Sequence, residues 1–70
     1  MEKKQLDNNF IYHPIKDKEQ ENKYKNIRIV AKSFADLINE YCPESREKSL
    51  AFTKLEEAMM WANASIARNE

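Results

Sequence analysis

The sequence predicts an all-α fold, an antiparallel two-helix hairpin preceded by an N-terminal arm. Three observations carry this prediction. The 70 residues include no glycine, the residue that most tight β-hairpin turns require. One long segment repeats apolar residues at alternating intervals of three and four, the period of a helix face. A second apolar segment of similar length follows across the short link "CPES", and a link that short makes neighbouring helices run antiparallel.

Residues 1–13 read as the arm, a loop that is polar until "FIYH", where Phe10, Ile11 and Tyr12 form an anchoring patch. Pro14 closes it by biasing His13 toward extended geometry. Residues 14–70 form the hairpin domain. Its first helix begins near Asp17, where "DKEQ" places an Asp at the cap and Gln20 three residues later in capping-box spacing. Tyr24, Ile27, Ala31, Phe34, Ile38 and Tyr41 then make a heptad-like seam that Val30 and Leu37 widen. Pro43 stops the helix around Cys42. Ser45 is the expected N-cap of the second helix, and Glu47 stands near the positive end of its dipole. The main stripe of this helix is Ala51, Phe52, Leu55, Ala58, Met59, Ala62 and Ile66.

At about 100° per residue, Leu50, Trp61 and Arg68 project nearly opposite that stripe, with Met60 and Ala64 to one side. A two-helix hairpin has no way to cover both faces. A chain this short also buries only about 60% of its unfolded surface, and one cysteine (Cys42) forbids an internal disulfide. Association supplies the missing burial, so the hairpin is expected to be the repeating unit of a symmetric homo-oligomer.

Twelve basic and twelve acidic residues cancel, so no global field draws the chain to polymeric nucleic acid or to a membrane surface. No run approaches the ~20 apolar residues of a membrane span, and a lone thiol suits a reducing cytoplasm. Catalytic residues are few. His13 is the only imidazole and lies on the arm, and Cys42 sits at a helix C-terminus, where the dipole opposes a thiolate. Glu56 and Glu57 are explained by solvation, so neither an enzyme activity nor a metal or other cofactor is expected.

Anion binding is the more promising chemistry. Arg46 and Lys48 lie in the first turn of the second helix, where free N–H groups already favour a phosphate. Their alternative role is a salt bridge to Glu44 or Glu47. Symmetry in an oligomer multiplies weak local sites, and the forked guanidinium groups of Arg28, Arg46 and Arg68 suit bidentate phosphate contacts. Tyr12, Tyr24 and Trp61 are candidates to stack on a base.

The stretch "CPESREKSLAFTKLEEAMMWANASIARNE", with the preceding "NKYKNIRIVAKSFADLI", resembles the helical-hairpin domain of bacteriophage immune-evasion proteins. These are the anti-CBASS cyclic-nucleotide sponges and the related Thoeris anti-defence sponges. The resemblance covers roughly residues 10–70 and is most specific in "SREKSLAFTKLEEAMMWA". It implies a hexamer of hairpins that holds cyclic di- or trinucleotides, or cyclic ADP-ribose, without degrading them, in the cytoplasm of an infected bacterium. It also implies that Tyr12 stacks on a base, that Arg28 meets phosphate, and that Arg46 serves a second pocket where subunits meet. Thr53 and Arg68 join this set from facing direction and from "IARNE". A competing expectation is a small protein-interaction module that engages a partner helix through Met60 and Trp61.

Overall fold

A computed structural model describes all residues, 1–70. It contains three helices and no strand: α1 (Lys3–Phe10), α2 (Lys18–Tyr41) and α3 (Arg46–Asn69). The 24-residue helices α2 and α3 form the hairpin, as the seam and the proline link predict.

Both long helices start where their caps predict. The Asp17 carboxylate accepts the Gln20 backbone N–H at 2.8 Å, and the Ser45 hydroxyl accepts that of Lys48 at 3.1 Å. Each satisfies an N–H that the first helical turn leaves without a partner. The Gln20 side chain departs from capping-box geometry, because its Oε1 accepts from the Lys16 N–H at 2.9 Å instead of reaching the cap residue. It thereby fastens the arm's exit to the helix. α2 ends with the Cys42 N–H donating to the Ile38 carbonyl, one residue before Pro43 removes the next donor.

The turn is locked by a lysine. Lys48 Nζ donates to the Asn39 carbonyl at 3.2 Å and to the Glu44 carboxylate at 2.6 Å. A cation on one of the last carbonyls of α2 satisfies an orphan acceptor and complements the helix dipole. Lys48, first considered with Arg46 as an anion ligand, is therefore committed to the turn.

At the open end the arm differs from expectation. Residues expected to be a loop form the short helix α1, with the Leu6 N–H donating to the Glu2 carbonyl at 2.9 Å. The "LDNN" run hides it from pattern reading, because Asp and Asn are weak helix formers and no apolar repeat marks it. The patch does not anchor the arm either, since Phe10, Ile11 and Tyr12 are all exposed. Polar contacts hold α1 instead. Asn8 Nδ2 donates to the Arg68 carbonyl at 3.0 Å, and His13 Nε2 lies 2.7 Å from the Asn8 carbonyl, to which its N–H donates.

Lys23 and Glu70 close the same end, with Nζ 2.6 Å from Oε2. That hydrogen bond holds the lysine above its ordinary pKa and the glutamate below its own. The glutamate's contribution to stability is thus complete above its ordinary pKa and is lost as pH falls through the lowered one. The pair is exposed, so its effect on folding is small. Titration of Glu70 by NMR should show the lowered pKa, and Lys23→Ala should raise it. An unchanged Glu70 titration in that variant would refute the pairing.

The core is minimal. Ile38 is the only buried hydrophobic residue, at 7% exposure, beside Gln20 at 3% and Lys48 at 6%. Tyr24, Ile27 and Ala31 on α2 and Phe52, Leu55, Met59 and Ile66 on α3 are half-buried between the helices. Three residues assigned to the seam and stripe fall elsewhere, for Phe34, Tyr41 and Ala58 are exposed. The inward line of α2 runs from Ile27 through Ala31 to Ile38. Phe34 and Tyr41 lie 60–80° round from Ala31 at about 100° per residue, on a second stripe with Val30 and Leu37.

Candidate functional site

The sequence predicts five site residues, and the fold distributes them over the hairpin. Tyr12 follows α1 at the open end and is 85% exposed. Arg68 is at the same end, half-buried, in a polar cleft of about 510 Å³ with Gln5, Asp7, Asn8 and Ile11. Arg28 stands midway along α2, on a groove of about 220 Å³ with Lys32, Leu55, Glu56 and Met59. Thr53 lies on the outer side of α3 beside Glu57, Met60 and Trp61. Arg46 is the first residue of α3, at the turn.

Within one chain these residues do not form one pocket. Arg46 and Arg68 are 22 residues apart on one helix, which at 1.5 Å per residue is about 33 Å. Only Tyr12 and Arg68 share an end of the molecule.

What the three arginines among them have in common is electrostatic. The protein makes five ion pairs, through Lys18, Lys23, Lys32, Lys48 and Lys54. None of the three arginines joins a carboxylate, and none donates a side-chain hydrogen bond. The reason is legible in the spacing, because helical partners stand three or four residues away. Around Arg28 those positions hold Tyr24, Lys25, Ala31 and Lys32. Arg46 is followed there by Ser49 and Leu50, and Arg68 is preceded by Ala64 and Ser65. No acid is offered to any of them at these positions of its own helix.

Lys25 and Lys32, three and four residues from Arg28, belong with it. Like charges three and four residues apart repel, so this basic strip is destabilising until an anion meets it. Lys32 alone is partly neutralised, by Asp36 at 2.7 Å.

The third arginine has an aromatic neighbour. The Arg68 guanidinium carbon lies 5.9 Å from the centre of the exposed Trp61 ring, within cation–π range. The two are seven residues apart and share the face opposite the main stripe, as the helical period predicts. A flat ring beside an unpaired guanidinium offers both a stacking surface and phosphate donors.

No cluster of three or more His, Cys, Asp and Glu side chains is placed to hold a metal ion. No helix is long and apolar enough to cross a membrane.

Neither the curated proteins nor the solved structures contain a match to the chain. A family model does match, described as the Acb2/Tad1 hairpin domain, over residues 2–67. The matched span takes in α1 as well as both long helices, so the arm is part of the family's unit, beyond the segment on which the resemblance was first drawn. The chain belongs to the Acb2/Tad1 hairpin family, the anti-CBASS and anti-Thoeris sponges.

Proposed function

We propose that this protein is a phage-encoded sponge that binds cyclic di- or trinucleotides, or cyclic ADP-ribose, and withholds them intact from the defence effectors of the infected cell. It works in the host cytoplasm as a homo-oligomer, a hexamer on the family's pattern. The observation that carries this reading is the set of three arginines without acidic partners on a chain whose net charge is zero. Their guanidinium groups are the best phosphate donors the chain has.

The geometry also favours sites shared between chains. Arg28, Arg46 and Arg68 stand too far apart in one hairpin to hold one small ligand, so each has to be completed by a neighbour. Tyr12 and Arg28 then serve one class of pocket, by base stacking and phosphate contact. Arg46, with Thr53 and Arg68, serves pockets where several chains meet. Sequestration requires tight binding and no bond cleavage, and the only imidazole, His13, is engaged with the Asn8 carbonyl.

Calorimetric titration with a panel of cyclic nucleotides and cyclic ADP-ribose isomers tests the proposal, with recovery of the ligand after heat denaturation. Tight binding and release of unaltered ligand are expected. Hydrolysed ligand would make the protein an enzyme. Absence of heat with every member would favour a second reading, in which exposed Met60 and Trp61 receive a partner helix.

A further inference from the structure

Glu56 is the one acid on the groove that carries Arg28, and it has no more of a partner than the arginine has. Spacing explains both. The positions three and four residues from Glu56 on α3 hold Phe52, Thr53, Met59 and Met60, so its own helix offers it no base. The next residue, Glu57, has Lys54 three residues before it and pairs with it at 3.6 Å. On the α2 side of the groove, Lys32 is taken by Asp36, and Arg28 is left free. Two opposite charges thus stand on one cleft without meeting to close it.

The cleft between them has room for a single base. Its volume is about 220 Å³, below the ~300 Å³ at which pockets for drug-sized ligands begin, so a whole cyclic nucleotide does not enter it. The walls are apolar, with Ala31 and Ala35 on α2 and Leu55 and Met59 on α3. The two alanines let a flat ring approach the backbone of α2, and the polarizable thioether of Met59 makes favourable contacts with an aromatic edge. A phosphate by itself is a poor occupant, because the Glu56 carboxylate repels it. The rim fits an anion that also carries hydrogen-bond donors on a planar ring.

We infer that Glu56 reads a base of the messenger whose phosphate meets Arg28, and that the base it selects is guanine. An ionised carboxylate only accepts hydrogen bonds, and its two oxygens take two parallel donors. Guanine has two side by side on its Watson–Crick edge, N1–H and the N2 amino group. Adenine offers one amino group flanked by ring nitrogens whose lone pairs the carboxylate repels. Cytosine has the same defect at N3, and uracil sets its single N–H between two carbonyl oxygens. Glu56 is exposed on the hairpin, so its carboxylate gives up water when a base arrives, and guanine alone returns two bonds for that loss. Unpaired bases are commonly read in this way, on their Watson–Crick edges.

The assignment rests on the sponge reading and narrows it. Among the candidate messengers it favours guanine-containing cyclic nucleotides over all-adenine ones and over cyclic ADP-ribose.

Calorimetric titration of the full chain with cyclic di-GMP and cyclic di-AMP, which carry identical phosphates, isolates the base. The unsubstituted protein should bind the guanine ligand about ten- to a hundredfold more tightly, the range for one hydrogen bond to a charged group. Cyclic di-IMP, whose base keeps N1–H and lacks the amino group, should fall between the two. In Glu56→Gln the carboxamide accepts with its oxygen and donates with its nitrogen, the pattern that adenine matches. The guanine preference should then shrink by about tenfold or more, with cyclic di-AMP bound at least as tightly as by the parent. Arg28→Ala should weaken both ligands alike and keep their ratio. Equal or reversed affinities in the parent, or a ratio that Glu56→Gln leaves unchanged, overturn the assignment while sequestration stands. Binding of cyclic ADP-ribose alone overturns it as well, and binding of no cyclic nucleotide at all removes the sponge reading with it.

Discussion

Ile38→Ala should cost about 2–5 kcal/mol of folding free energy, the range for truncating a buried aliphatic side chain to alanine. Ile38 is the only hydrophobic side chain that the hairpin buries by itself. It sits one turn from the end of α2, where the Cys42 N–H bonds its carbonyl and the Lys48 ammonium bonds the carbonyl of Asn39. That backbone is pinned from both sides and has little freedom to close around a cavity, which places the loss toward the upper part of the range. In a domain of this size each kcal/mol moves the melting temperature by roughly 4–8 °C. Thermal unfolding followed by circular dichroism measures it directly. A shift of only a few degrees would mean that the two helices are held together chiefly by contacts between chains.

The long helices are legible in the sequence because each of their signals is local. Asp17 and Ser45 cap within three residues, Pro43 ends α2 on its own, and the apolar period survives whatever surrounds it. What the period does not distinguish is the partner each stripe faces. Tyr24, Ile27, Ala31, Phe34, Ile38 and Tyr41 fit one heptad line, yet the fold turns Ile38 inward and leaves Phe34 and Tyr41 outside. Seam and second stripe are only 60–80° apart on the same helix. Both are apolar, so hydrophobicity cannot separate them. α1 was hidden for the opposite reason, because its eight residues carry almost no apolar signal and are tied to α3 by an asparagine.

Legibility of the site divides in the same way. That no arginine has an acid within helical reach is a property of spacing and can be read without a structure. That Lys48 turns back to cap α2 depends on the path of the chain through the turn. Arg46 and Lys48 occupy the same helical turn and look equivalent in "SREKS", but Lys48 is 6% exposed with its ammonium bonded to a carbonyl and a carboxylate, while Arg46 is exposed and unpaired.

That contrast sharpens the expectation for Arg46. If it meets a phosphate of the bound messenger, Arg46→Ala should weaken binding by about 1.5–3 kcal/mol, the range for a hydrogen bond to a charged group. This is a roughly ten- to hundredfold rise in Kd. Because Arg46 makes no contact that supports the hairpin, the variant should keep the melting temperature and the assembled mass of the parent. Lys48→Met should do the reverse, lowering stability through the stranded Asn39 carbonyl while touching affinity only as far as the fold is lost. Raising the salt concentration should weaken the parent more than the Arg46 variant, since screening acts on the charge that was removed. An Arg46→Ala protein that dissociates would assign the residue to the subunit contact, and one with unchanged affinity and mass would take it out of the pocket. The paired variants separate a residue that serves the ligand from its neighbour that serves the turn, two roles that share one helical turn and one charge.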